Sequence, residues 1–447
     1  MTNLVSKNRL AIPHFIGLKL PFFNQKVRAN LCDWLIVIQC FGYPAQVMIP
    51  LNLGINTTTF NFTARIIYAS ISLLLIVFSP ISIRKTTLGF LSFSLFWFIY
   101  GLRLIYDLEI IGVQFLETSS FYVYSFGFGC SLLSSMAVFS TGATINLPQS
   151  LFRTYLVLLV SALLMLLFLF TSSTVSLATF FLQRTSVMTD TQDGLSVVIN
   201  AITISFTGTQ LALLSLYYLL FKPFQNKKIL FWVFILSALV GVGLVMLGAS
   251  RGPLLTLFLL VMLMLWLKLR SNASSLRFFL KLSVGIALLF VVFVVFIQPM
   301  NQDNDVEIVS RLTAFADERA NNVKEERDYE WASAWQQFLS NPVLGDKFVT
   351  DYDKSYAHNI VLDVMMSTGI TGLFVFLLFF YSISRKIWFF FQHFDSFPLI
   401  LPFLFCFFSI LLISLTSGGV FINVSLWIYS AFLSVISFAN ASILSNK

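Results

Sequence analysis

Apolar residues run along this chain in long stretches separated by short polar connections. A hydrocarbon core about 30 Å thick is crossed by roughly 20 apolar residues in helical form. Twelve stretches approach that length: 31–50, 64–83, 88–106, 119–138, 154–171, 194–220, 229–247, 252–267, 278–298, 359–382, 397–414 and 420–438. None shows the ten-residue alternation of a barrel strand, so the pattern predicts helices that span a membrane. One connection breaks the rhythm. Residues 299–357 form a 59-residue polar segment in which Ile308, Leu312 and Phe315, then Trp331, Trp335, Phe338 and Leu339, recur at helical spacing. Two amphipathic helices are predicted there, the second stopped by Asn341-Pro342 and a turn at Gly345. A connection of this length with structure of its own is more often functional than a tether.

The expected class is therefore an all-α polytopic membrane protein of about twelve transmembrane helices, with a large helical loop before span ten. It divides into an amino-terminal interfacial segment (1–30), spans one to nine (31–298), the loop (299–357), spans ten to twelve (358–438) and a short tail (439–447). Composition agrees. With 57% hydrophobic and 11% charged residues, and a mean hydropathy of +0.86, the chain has far more apolar surface than a soluble globule can bury. No internal repeat divides it into symmetric halves.

Charge sets the expected orientation. With the amino terminus inside, the inner segments hold 18 of the 28 basic residues but only Asp33 and Asp395 of the 20 acids. The positive-inside rule then places both termini in the cytoplasm and the large loop outside. The net charge of +8 is thus explained by topology, and no nucleic-acid partner is expected. The first 30 residues carry five basic side chains and no apolar core of a cleavable leader; "FIGLKLPFF" is expected to lie in the inner interface. Cys32, Cys40, Cys130 and Cys406 fall in or at the ends of spans, which leaves neither a disulfide framework nor metal spacing.

Few residues on the outer side suit chemistry. His358, at the lip of span ten, is the only outer histidine of three, with His14 and His393 on the inner side. It suits a general base or a donor to a reacting oxygen, and equally an anchor at the headgroups. Arg251, in "LGASRGPLLTL", falls where spans seven and eight meet in a tight turn that includes Gly252 and Pro253. Its planar fork matches phosphate oxygens, and a snorkelling interfacial arginine is the alternative. Arg184, in "FFLQRTSVMTD", lies in a half-apolar outer segment and reads as snorkelling. Asp107 and Glu109 in "YDLEI" could hold a divalent ion, but two acids without a third ligand read better as solvated loop ends. Asp363, inside span ten, shares a helical face with Asn359 rather than with His358, and an intramembrane acid usually faces a cavity or a partner.

Taken together, "HN" at His358–Asn359, "GITG" at Gly369–Gly372, "NPVLG" at Asn341–Gly345 after a large outer loop, and "SRG" at Ser250–Gly252 between two spans resemble the O-antigen ligase and polymerase superfamily. The resemblance covers roughly residues 240–378. It implies an inverting, metal-independent glycosyltransferase without cofactor in a bacterial inner membrane, acting on undecaprenyl-diphosphate-linked glycans at the periplasmic face, with a chain-length regulator as an expected protein partner. In this reading His358 accepts the proton of the attacking hydroxyl or orients it, while Arg251 and Arg184 stabilise the leaving diphosphate. Asn359, Asp363, Arg311 and Arg319 are supporting positions. Trp331 and Trp335 either stack on sugar rings or pack the loop. The polymerase, which extends a lipid-linked repeat unit, is favoured over the ligase, which uses lipid A-core as acceptor. A lipid-linked-oligosaccharide flippase is the different-class alternative. It is disfavoured because the charges cluster at the outer rim rather than at the bilayer midplane.

Overall fold

The computed structural model describes residues 23–79, 87–116, 118–172, 187–191, 194–221, 228–271 and 325–436. Among them nine helices are long and apolar enough to cross a membrane. A tenth span is bent, and a twelve-residue apolar helix, Val424–Val435, follows the last long one. The predicted span at 278–298 lies outside the described residues. The protein is an all-α polytopic membrane protein, with one two-stranded hairpin as its only described sheet.

The chain begins with α1 (Gln25–Phe41) and α2 (Tyr43–Asn52), which meet at 77° around Gly42. The sequence predicts one straight span here. Pro44 has no N–H for a continuing helix, and it opens α2 instead, within the first two helical positions. Two asparagine side chains start helices by accepting backbone N–H groups: Asn24 from Val27 at 3.1 Å and Asn56 from Thr59 at 2.9 Å. The second begins α3 (Thr57–Phe78), seven residues before the predicted edge of span two. Next come α4 (Thr87–Ile105), which continues as a π-helical turn Tyr106–Ile111, α5 (Ser120–Thr144) and α6 (Leu147–Ser172).

After α6 the structure departs from the apolar pattern. Span six was expected to begin at residue 194, but Gly194–Ile199 is strand β2, paired antiparallel with β1 (Val187–Thr191). Helix α7 (Ala201–Phe221) starts only after Asn200, whose side chain accepts from the Thr203 N–H at 2.8 Å. Helix α8 (Lys228–Gly248) packs on it so closely that a Cβ at Gly208 would fall 2.4 Å from the Gly241 carbonyl oxygen. Helix α9 (Arg251–Ser271) follows after two residues. Gly252 and Pro253 therefore belong to its first turn, and the tight connection itself is Ala249-Ser250.

Beyond this, α10 (Glu326–Ser340) is the described helix of the large loop, α11 (Ile360–Gln392) is the longest span, and α12 (Leu401–Ser417) and α13 (Val424–Val435) close the bundle. Trp427 of α13 stacks on Phe96 of α4 at 5.2 Å and on Phe379 of α11 at 6.2 Å. Its indole N–H donates to the Val420 carbonyl at 2.7 Å, so this aromatic core also fixes the α12–α13 connection.

The joint between loop and bundle explains two of the sequence motifs. Gly369 breaks α11 with φ +63° and ψ −161°, a conformation open essentially to glycine alone. The groups freed by that break are taken up by the turn after α10. Asp346 N–H donates to Met366 O at 2.8 Å, Ile370 N–H to Pro342 O at 2.8 Å and the Thr371 hydroxyl to Val343 O at 2.7 Å. Gly345, at φ +76°, lies against the Ser367–Thr368 peptide, where a Cβ would approach to 2.4 Å. "NPVLG" and "GITG" are thus two halves of one backbone lock.

Candidate active site

Helix α11 is opened by Asn359, whose side-chain oxygen accepts from the Val361 and Leu362 N–H groups at 3.0 and 3.2 Å. His358 precedes this cap at φ +50°, a left-handed conformation that costs a non-glycine residue about 1–3 kcal/mol. Asp363 maintains it. One of its carboxylate oxygens accepts from Ala357 N–H at 3.2 Å, and the other accepts from Val420 N–H at 2.7 Å. The chain on the near side of His358 is therefore tied both to α11 and to the connection before α13. All four non-glycine residues with positive φ among the described residues, Leu116, Ala249, Lys354 and His358, lie in connections; Ala249 stands two residues before Arg251, and Leu116 donates its N–H to Lys354 O at 3.2 Å.

The imidazole rests against the Tyr356 ring at 4.4 Å between centroids. Tyr356 in turn fills the space over Gly419, where a Cβ would lie 2.6 Å from the ring. Tyr356, His358, Asn200, Thr203, Ser417 and Asn423 contribute the polar lining of a cavity of about 250 Å³ between the start of α7, the end of α12 and the start of α13. Burial first, and then the charge of Arg327, hold the His358 imidazole down at about 4. The ring is accordingly neutral near pH 7, the form in which a nitrogen can accept a proton.

Helix α10 is fixed beside His358 and Ser417 by its first turns. Glu325 and Asp328 cap it reciprocally, each side chain accepting the other's backbone N–H. The Glu325 carboxylate also pairs with the Arg251 guanidinium at 2.8 Å. Arg327 donates to the Ser417 hydroxyl at 3.2 Å, at the cavity lining, and has no carboxylate within ion-pair distance among the described residues. One turn further on, Glu330 is buried and places Oε1 at 3.8 Å from His358 Nε2. Burial, followed by the Asp353 carboxylate, pushes Glu330 up to about 7.

Sequence spacing shows no outer cluster with metal geometry, but the fold makes one. Glu330, Asp353 and His358 bring one donor atom each within 4.8 Å of one another. Asp353 Oδ1 accepts from the Thr350 hydroxyl and from the Ser355 N–H, which fixes the orientation of this carboxylate in its own turn.

Several sequence expectations change. Asp107 is fully buried rather than solvated: it pairs with Arg103 at 2.8 Å and accepts from Phe348 N–H at 2.8 Å, so it anchors the loop after α10. Glu109 instead accepts from the Tyr124 hydroxyl at 2.7 Å. Asp363 and Asn359 hold the backbone around His358 and do not face the cavity as free groups. The buried face of α10 is Glu330, Ala334, Gln337 and Phe338, offset by one position from the predicted Trp331 stripe. Gln337 occupies that face because its amide serves Asp346, Val349 and Asp351 in the following loop. Trp335 is left exposed beside Phe338, while Trp331 is half-buried. Arg184, Arg311, Arg319 and the helix predicted around Leu312 lie outside the described residues. Sequence reasoning missed Arg327, Glu330 and Tyr356. Arg327 and Glu330 stand in a charge-rich run that reads as solvated, and their signal was the capping pair Glu325 and Asp328.

Residues 236–346 match the model of the family described as O-antigen ligase. This match covers about a quarter of the chain and supports its resemblance to the O-antigen ligase and polymerase superfamily. The matched segment contains Arg251, Arg327 and Glu330 and ends before His358, which the lock between Gly345 and Gly369 brings to them. Members of the family are glycosyltransferase-like membrane enzymes. No curated protein matches the chain.

Proposed function

We propose that this protein is a surface-polysaccharide polymerase that transfers an undecaprenyl-diphosphate-linked glycan to a hydroxyl of a lipid-linked repeat unit. The reading places the cavity at the periplasmic face of a bacterial inner membrane, with both termini in the cytoplasm. The observation that carries it is a histidine held in a left-handed backbone on the lining of the cavity, with the Arg327 guanidinium donating to Ser417 of the same lining and, among the described residues, no carboxylate within ion-pair distance of that guanidinium. The acceptor hydroxyl attacks the anomeric carbon from the side opposite the diphosphate. The new C–O bond forms as the bond to the diphosphate oxygen breaks, and that electron pair leaves with the diphosphate. His358 receives the hydroxyl proton, and Arg327 meets the charge on the leaving group. Arg251, already engaged with Glu325, positions α10 and adds to the positive potential. No nucleotide is required, because the diphosphate-linked sugar is already activated.

Arg327→Ala is expected to lower transfer by roughly 10²-fold, the scale of one lost charge-stabilising donor. Arg327→Lys should recover only part of this, since a point charge does not reproduce the planar fork. Transfer assays with membranes of matched protein content check both; an Arg327→Ala enzyme of wild-type activity removes the guanidinium from the mechanism.

Deletion of the gene tests the acceptor. The polymerase reading expects a surface capped by a single repeat unit on lipid A-core. Bare core with full-length chains retained on undecaprenyl diphosphate would identify a ligase. Repeat units trapped on the cytoplasmic side would point to a flippase.

A further inference from the structure

A second cavity at the same end of the bundle carries an arginine that the transfer reading does not use. Arg65 stands in α3, eight residues after Thr57 and so about 12 Å along the helix. Phe62 of α3 meets Phe121 of α5 at 5.2 Å, so the two helices start side by side. The Arg65 side chain leans back towards that start, as helical side chains do, and its guanidinium lies over the Phe126 ring at 3.8 Å and near the Tyr122 ring at 5.1 Å. Stacking occupies the faces of the group and leaves its in-plane N–H donors for other partners. Among the described residues the side-chain acceptor it reaches is the Ser125 hydroxyl, at 3.4 Å, and no carboxylate lies within ion-pair distance. A charge inside a span is costly unless it faces a cavity or a partner. Here the cavity measures about 60 Å³, with Gln39, Tyr43, Gln46, Asn61, Arg65 and Tyr68 as its polar lining. That is room for a few waters or one phosphate group. The side-chain oxygens of Gln39 and Asn61 are buried without partners. Val424 also lines this pocket, and its chain neighbours Asn423 and Ser425 line the cavity at His358. The two cavities thus flank one turn of chain at the start of α13.

We propose that the Arg65 pocket binds the phosphate of a membrane lipid, as a site separate from the cavity at His358. The guanidinium offers paired, planar donors to phosphate oxygens, and the Asn61 amide can turn its NH₂ group to the same anion. Because two rings already hold the guanidinium in place, binding need not order a long side chain. Ile66 and Ile67, next to Arg65, are about half exposed on the outer face of α3. A lipid reaches the pocket with its chains already alongside that face. The transfer reading, on which this clause rests, names the lipid: it requires two lipid-linked substrates at once, and the acceptor's own diphosphate, which does not react, needs a holder away from His358.

Purified protein in detergent is titrated with undecaprenyl diphosphate and, separately, with phosphatidylglycerol, and bound lipid is counted by native mass spectrometry. The wild type is expected to hold two molecules of undecaprenyl diphosphate. Arg65→Ala should hold one, with the affinity for the second lowered at least about 10-fold, the scale of a lost hydrogen bond to a charged group. Arg65→Lys should keep part of that affinity. Asn61→Leu removes an amide whose oxygen has no partner to lose; it should weaken the same lipid, and it decides the matter if the arginine variant fails to fold. A loss confined to undecaprenyl diphosphate supports the lipid-linked acceptor as the ligand, whereas an equal loss with phosphatidylglycerol keeps the phosphate site but assigns it to a phospholipid headgroup. Unchanged binding of both lipids in the variants would overturn the proposal and leave Arg65 a snorkelling side chain. If lipid binding depends on Arg65 while no glycan is transferred, the pocket stands and only the transfer reading fails.

Discussion

Cells whose only copy of the protein carries His358→Ala are expected to assemble it at normal abundance and to make essentially no polymeric surface glycan. Removing a general base costs about 10²–10⁴-fold, enough to erase a ladder on a gel. Folding should survive, because the interactions that hold this corner belong to its neighbours. Asn359 caps α11, Asp363 ties Ala357 to Val420, and the imidazole itself makes no hydrogen bond at Nδ1. Relief of the left-handed strain is small, since alanine is no better suited to φ +50° than histidine. Wild-type polymer in His358→Ala cells would reduce the residue to an anchor at the start of α11.

The second large effect is structural. Gly369→Val is expected to prevent accumulation of folded protein, with a cost of roughly 2–6 kcal/mol from backbone strain and overpacking combined. A Cβ there would lie 2.5 Å from the Val343 carbonyl carbon and oxygen, and 2.7 Å from Gly345 N, while the backbone stays in a region closed to valine. The lock between the α10 turn and α11 would open, and His358 would lose its relation to α10. Protein yield and thermal unfolding in detergent measure this directly. A Gly369→Val protein that accumulates and unfolds like the wild type would show that the two motifs are not interdependent. Gly252→Ala supplies the contrast at another motif glycine, since its Cβ would meet only the Thr416 hydroxyl at 3.3 Å.

Much of this architecture was legible because long apolar runs are imposed by the bilayer itself. Residues 228–271 matched to within a few positions, since their boundaries are marked by Lys228, Arg251 and Arg270. The bend at Gly42 and the hairpin before α7 were not, because hydropathy measures burial in lipid and not the path of the backbone. Within the site, His358 and Arg251 stood out as rare residue types in motif positions. Arg327 and Glu330 did not, because a run of twelve acids and six bases reads as a solvated surface until the fold of α10 shows which side is buried. Asp107 and Asp363 were misread for a common reason. A carboxylate whose partners are backbone N–H groups at Phe348, Ala357 and Val420 leaves no trace in local sequence. The glycines of "NPVLG" and "GITG" were visible as motif letters, but their purpose, contact between two backbones, exists only in three dimensions.

The central claim, that this cavity joins glycans at the expense of a lipid diphosphate, is tested most directly by reconstitution. Purified wild-type protein and His358→Ala protein, each in liposomes, are given undecaprenyl-diphosphate-linked repeat units as donor and acceptor. The wild type is expected to release undecaprenyl diphosphate in step with a lengthening glycan, and His358→Ala to do neither. Equal release and equal lengthening by the two proteins, or none by either, would contradict it.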